Sequence, residues 1–223
     1  MTVHMQREIE KLKRKVLTFG AQVEVSIQKA ARSLKDRDPE IATQVIDDDF
    51  EMDQLEVEIE EDCLKILALY NPVATDLRFV VAVLKINNDL ERIADQSVNI
   101  AQRAMFLTSN ETVEIPYELS LMVEKTQAML RWSLEALINL DVSQARQIIL
   151  DDDEVDILHR RMYEIIATRI RKNPDCLECL INILISARHL ERIADQVTNI
   201  AEDVIYLVSG EIVRHDRKRI EKL

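Results

Sequence analysis

From Val45 the apolar residues Val45, Met52, Ile59 and Ile66 recur every seven positions, and Ile86, Ile93, Ile100 and Leu107 repeat the pattern further along. An apolar period of seven, sustained over several turns, belongs to helices packed side by side. No strand-like alternation competes with it. Asp38-Pro39 reads as an N-cap followed by proline at the first helical position, and Asn71-Pro72 and Asn173-Pro174 mark two further starts. The pattern predicts long helices over about 3–35, 39–69, 73–108, 116–139, 142–171 and 174–209. Thirty helical residues extend roughly 45 Å, so nearly parallel rods are expected rather than steeply crossed helices.

The chain then repeats itself. Leu90-Glu91-Arg92-Ile93-Ala94-Asp95-Gln96 recurs one hundred residues later as Leu190-Glu191-Arg192-Ile193-Ala194-Asp195-Gln196, and Asn99-Ile100-Ala101 recurs as Asn199-Ile200-Ala201. Upstream, the segment from Ile46 to Leu55 is echoed at an offset of 103 by Ile149 to Leu158. The fold expected is therefore all-α, with two tandem three-helix bundles, residues 1–110 and 111–223, related by a pseudo-twofold axis.

Composition narrows the function classes. Two glycines, Gly20 and Gly210, cannot supply the turns of a sandwich or barrel, nor a phosphate-cradling loop. A net charge of −12 disfavours nucleic acid and anionic membrane surfaces. The basic stretches Lys11 to Lys15 and Arg217 to Arg219 read as solvated helix faces or frayed ends. The longest apolar run, Phe79 to Leu84, is too short to span a bilayer, so no membrane insertion is expected. The charged N-terminal residues lack a signal-peptide core, and three scattered cysteines do not make a disulfide framework. A cytoplasmic location is the expectation.

The anomaly lies on the last helix of each copy. Every seventh residue gives Leu77, Leu84, Glu91, Val98 and Met105 in one helix and Leu177, Leu184, Glu191, Thr198 and Ile205 in the other, so a glutamate interrupts a largely apolar seam twice. Asp95 and Asp195 follow one turn later on the same side, and Asn99 and Asn199 continue the stripe. On the second helix of each copy Asp49 and Asp53 match Asp152 and Asp156, with Glu56 and His159 one turn further. If the two helices pack antiparallel, up to four carboxylates converge, and such a set calls for cations. Oxygen donors suit Mg, Mn or Fe, and Zn if His159 contributes. The Glu-x-x-His pairs of di-iron bundles are largely absent, with only Asp156-x-x-His159 approximating one. The competing reading is a solvated network of acids with Arg92 and Arg192.

Other candidates are weaker. Cys176-x-x-Cys179 has no second pair and reads as two small apolar residues. Trp132 is expected in the core. No nucleophile has an activating partner, so no enzymatic activity is expected.

The doubled Glu-Arg-Ile-Ala-Asp-x-x-x-Asn-Ile-Ala, the entry Asn71-Pro72-Val73-Ala74-Thr75-Asp76-Leu77-Arg78 and the ending Val204 to His215 together resemble the PhoU family over nearly the whole chain. The resemblance implies a six-helix, two-repeat bundle, often dimeric, carrying metal clusters. By position the metal ligands would be Asp49, Asp53, Glu91 and Asp95 in one half and Asp152, Asp156, Glu191 and Asp195 in the other. Glu56, Asn99, His159, Asn199, Arg92 and Arg192 would stand around them. It also implies negative regulation of phosphate uptake and of the phosphate-starvation two-component response, through the transporter ATPase and a sensor histidine kinase. One departure is visible: Asp175-Cys176-Leu177-Glu178 stands where the first copy has Thr75-Asp76-Leu77-Arg78, so duplication of any role of Asp76 and Arg78 does not follow from the repeat. A carboxylate-bridged metalloenzyme or metal store of the ferritin-like kind is the alternative, and exposure of the carboxylates discriminates the two.

Overall fold

The computed structural model describes residues 3–110 and 113–213. Six long α-helices run α1 Val3–Asp36, α2 Pro39–Tyr70, α3 Ala74–Thr108, α4 Tyr117–Asn139, α5 Val142–Lys172 and α6 Leu177–Ser209. A single 3-10 turn, Pro174–Cys176, precedes α6. The predicted starts at Asn71-Pro72 and Asn173-Pro174 are thus a little early. Asn71 instead closes α2 in the left-handed region, φ 46°, and α3 opens at Ala74.

Local chemistry explains the corners. The Asp38 side chain accepts from the backbone N–H groups of Glu40 and Ile41, with Pro39 at the first helical position. Asp141 does the same for Ser143 and Gln144 at the start of α5. The preceding residues, Arg37 and Leu140, both sit at φ 54°. Asp38 N donates to Ser33 O, and Asp141 N to Ala136 O. The duplication therefore extends to the hydrogen bonds of the helix–helix corner, although Arg37 and Leu140 differ chemically. Arg37 also donates to the carbonyls of Leu107 and Val113, fastening the first corner to the connection between the repeats.

In each repeat the three helices pack on one another, α1 with α2 and α3, and α4 with α5 and α6. The repeats join mainly through α3 and α6, with α1 touching α4. Helices α2, α3, α6 and α5 thus form a row, with α1 and α4 behind it. Burial along the two repeated segments matches residue by residue from 91–100 to 191–200. The core is one continuous apolar cluster that includes Val45, Ile59, Ile93, Met129, Met162 and Ile193. Gly20 allows α1 and α4 to approach closely, since a Cβ there would lie 2.6 Å from Leu134 Cδ1.

Two expectations are corrected. The row through Glu91 is not a buried seam: Leu77 and Met105 are 40% and 39% exposed, while Leu84, Glu91 and Val98 are half-buried. The buried stripe is Val83, Ile86, Leu90, Ile93, Ser97, Ile100 and Ala104, so the glutamate borders the core instead of interrupting it. Trp132 is 42% exposed, because the core stripe of α4 runs through Thr126, Met129, Leu130, Ser133, Leu134 and Leu137 and leaves residue 132 outside. All three cysteines are buried and unbridged. Burial pushes the Cys63 thiol up to about 12. Arg217 to Arg219 and His215 lie outside the described residues.

Candidate carboxylate site

The register of α2 against α3 creates the first acidic patch. Asn87 on α3 donates to the backbone carbonyl of Glu56 at 2.9 Å and to its Oε1 at 3.2 Å. Asn87 is 1% exposed, so this amide acts as a buried clamp between the helices. Because the helices run antiparallel, the residues one and two turns from this clamp, on the same side of it, lie alongside one another: Asp53 meets the Glu91 turn, and Asp49 the Asp95 turn. Asp49 and Glu91 are half-buried, whereas Asp53 and Asp95 are exposed.

The electrostatics record that convergence. The Asp49 carboxyl is pushed up to about 6, chiefly by burial and then by the charges of Asp53 and Asp95. Glu91 is raised by burial and by Asp95, Glu56 and Asp53, against a smaller lowering by Arg92. Asp95 is raised by burial and by Asp53. Glu56 is raised by burial and by its neighbours Glu60 and Asp53. Asp49, Glu91 and Asp95 each see an acid across the helix pair, whereas the charges that raise Glu56 lie on its own helix.

The second patch, between α5 and α6, has the same frame and a different charge balance. Asp195 is raised by burial, Glu191 and Asp156, and lowered by Arg192. Arg160 Nη2 stands 3.7 Å from Asp156 Oδ2, at a position occupied in the first repeat by Val57. Glu191 and Asp195 share an open groove of about 530 Å³ with His159, Tyr163, Arg188 and Arg192. Asp152 is half-buried on the same helix. Two positions expected near the ligands are engaged with backbone or the inter-repeat groove. Asn99 donates to the Asp95 carbonyl at 2.8 Å, and Asn199 lines a cleft of about 820 Å³ between α3 and α6 with Lys85, Arg92 and Asp195.

Among the described residues, no three histidine, cysteine or acidic side chains converge in these rotamers as a ready-made metal-binding group. The donor set is nonetheless the one a hard cation takes: carboxylate oxygens from two helices, spaced one turn apart, on an open and rotatable surface. The bundle centre, where a ferritin-like site would sit, is filled by apolar residues such as Ile59, Ile86 and Ile93. The alternative of an enclosed metal centre is therefore not favoured.

Sequence reasoning missed what ties the repeats together. Lys85 of α3 pairs with Asp203 of α6 at 2.9 Å, and His189 Nδ1 lies 2.7 Å from Gln96 Oε1. Gln96 belongs to the repeated motif, but the partners of these side chains are about one repeat away along the chain, and helical periodicity carries no signal for such pairs.

A doubled three-helix repeat with a carboxylate patch on one helix pair of each half defines a class of duplicated all-helical bundles. The PhoU domain model matches residues 16–104 and 119–204, one match per repeat. The chain belongs to the PhoU family. It is 33% identical over 220 residues to the phosphate-specific transport system accessory protein PhoU homolog 1 of Thermotoga maritima, covering 98% of this chain and 95% of that one. It is 36% identical to the PhoU homolog of Aquifex aeolicus, covering 94% and 95% of the two chains. The crystal structure of PhoU from Pseudomonas aeruginosa superposes with a TM-score of 0.89 at 33% identity, over 92% of this chain and 99% of that one. PhoU from Streptococcus pneumoniae, a phosphate transport system regulatory protein, gives 0.87 at 31% identity, over 94% and 99%.

Proposed function

We propose that this protein is a regulatory adaptor of a phosphate transport system, whose two carboxylate patches bind cations. The observation that carries the cation reading is the register of α2 on α3, set by the Asn87–Glu56 hydrogen bonds, which runs Asp49 and Asp53 alongside Glu91 and Asp95; the raised Asp49 carboxyl agrees with it. A bound divalent or trivalent ion, Fe, Zn, Mn or Mg, would neutralise Asp49, Asp53, Glu91 and Asp95 in one half and Asp152, Asp156, Glu191 and Asp195 in the other. Its role there is charge neutralisation and cross-linking of neighbouring helices. The half-buried to exposed setting of these acids supports a surface for protein contacts over a chamber for chemistry, and the adaptor is read as non-catalytic.

Likeness to accessory and regulatory proteins of phosphate transport supports the system in which it works. The adaptor acts in the cytoplasm, as a homodimer, restraining phosphate uptake and phosphate-starvation signalling by contacting the transporter ATPase and the sensor histidine kinase. Among the described residues no helix is long and apolar enough to cross a membrane. The test is a binding assay of the purified protein against those two partners, before and after chelation. Metal-dependent binding to either supports the reading. Failure to bind both, with metal supplied, refutes it.

A further inference from the structure

On α2, Phe50, Val57 and Leu64 recur every seven residues and are 67%, 51% and 53% exposed. The core positions of the same helix, Val45, Met52, Ile59 and Ile66, point to the opposite side. The three side chains therefore form an outward ridge about 21 Å long. The fold does not require it: at the equivalent positions of α5, 103 residues on, stand Asp153, Arg160 and Ala167. Two of the three equivalent positions are thus charged in the second repeat, where the exposed apolar residues Ile157 and Tyr163 stand off this line, whereas all three are apolar in the first. Isolated exposed apolar residues are ordinary, but three large ones in a single line, with charge at two of the equivalent positions, mark a contact surface.

Charge selects the occupant. Glu60 and Glu61 are exposed along the ridge, outside the proposed cation ligands, and Lys65 stands beside them, 3.3 Å from Glu61. A second copy docked ridge to ridge would set these acids against their own counterparts, and an anionic membrane would be repelled likewise. We propose that the α2 ridge docks an amphipathic helix of a partner protein that carries one apolar stripe bordered by lysine and arginine. This deepens the adaptor reading, on which it rests, by assigning one contact surface and the chemistry that fits it.

The probe is a fluorescein-labelled synthetic helix with leucine along one stripe and Lys/Arg on both sides, beside a twin in which every basic residue is Glu. Anisotropy titrations use the full chain as wild type, as F50Q/V57Q/L64Q, and as E60K/E61K, with circular dichroism establishing that each variant is folded. All five substituted positions are exposed, outside the carboxylate ligands proposed above. The basic helix is expected to bind wild type at least about tenfold more tightly than either variant, and the acidic twin to bind none of them. Equal affinity for wild type and the glutamine variant, no binding to wild type, or equal binding of the twin would overturn the proposal. So would a wild-type self-association abolished by the glutamine variant, since a second copy would then occupy the ridge. The assay uses neither the transporter nor the kinase, so its failure leaves the adaptor reading to be judged by its own binding test.

Discussion

Lys85 of α3 holds Asp203 of α6 across the junction of the repeats, Nζ to Oδ1 2.9 Å, with the Asp203 side chain 2% exposed. The ammonium also lies 5.0 Å from the centroid of the Tyr206 ring. The relationship has no pseudo-symmetric copy, because residue 185 is Ile and residue 103 is Arg. Replacing Lys85 by Met removes the ammonium from a buried carboxylate and is expected to cost about 3 kcal/mol. Adding Asp203→Asn should restore part of that loss. Urea unfolding of the two variants measures both quantities, and equal midpoints for wild type and Lys85→Met would show that the pair contributes nothing.

Asp49 gives a pH dependence with a definite sign. Its pKa rises from 3.8 to about 6 on folding, so the folded state favours the protonated form. The destabilisation is fully present above pH 6 and is relieved as pH falls towards 3.8. Asp49→Asn is therefore expected to stabilise the metal-free protein at pH 7.5 by on the order of 1 kcal/mol, after allowance for solvent screening. At pH 4 the gain should disappear. Thermal unfolding at the two pH values tests this.

His189 has the opposite sign. Burial, with the charges of Arg103, Arg192 and Arg188, lowers its pKa from 6.5 to about 4. The imidazole faces Gln96 across the α3–α6 junction. Stability associated with neutral His189 is in place above pH 6.5 and is lost as pH falls towards 4. An imidazole carbon chemical shift that titrates near 4 is the expected NMR result, and a midpoint near 6.5 would contradict the buried setting.

Much of the fold was legible because its signals are local. Asp38-Pro39 and the apolar period of α2 set that helix within a residue, and the doubled Glu-Arg-Ile-Ala-Asp motif announced the repeat. The seam through Glu91 was misplaced for a geometric reason. Every-seventh-residue rows on a straight helix drift by about 20° per heptad, so a row followed from Leu77 to Met105 does not stay on one face. Trp132 was misassigned from residue type, although the stripe Met129, Leu130, Ser133, Leu134 already leaves it out. The eight candidate acids stand out in the sequence by their repetition. Arg160, which distinguishes the second patch, pairs with Asp156 four residues away on its own helix and was within reach of spacing, whereas the Asn87–Glu56 clamp between α2 and α3 depends on contacts between helices that spacing does not encode.

The central claim is that the acids gathered at α2–α3 and α5–α6 are held together by bound cations. Its most direct test is elemental analysis of chelator-treated protein reconstituted with Fe, Zn, Mn or Mg, comparing wild type with Glu91→Ala/Asp95→Ala and with Glu191→Ala/Asp195→Ala. Each double variant is expected to lose the metal of its own half, keep that of the other, and retain its helicity. Metal content equal to wild type in both variants, or no metal retained by wild type, would contradict the claim.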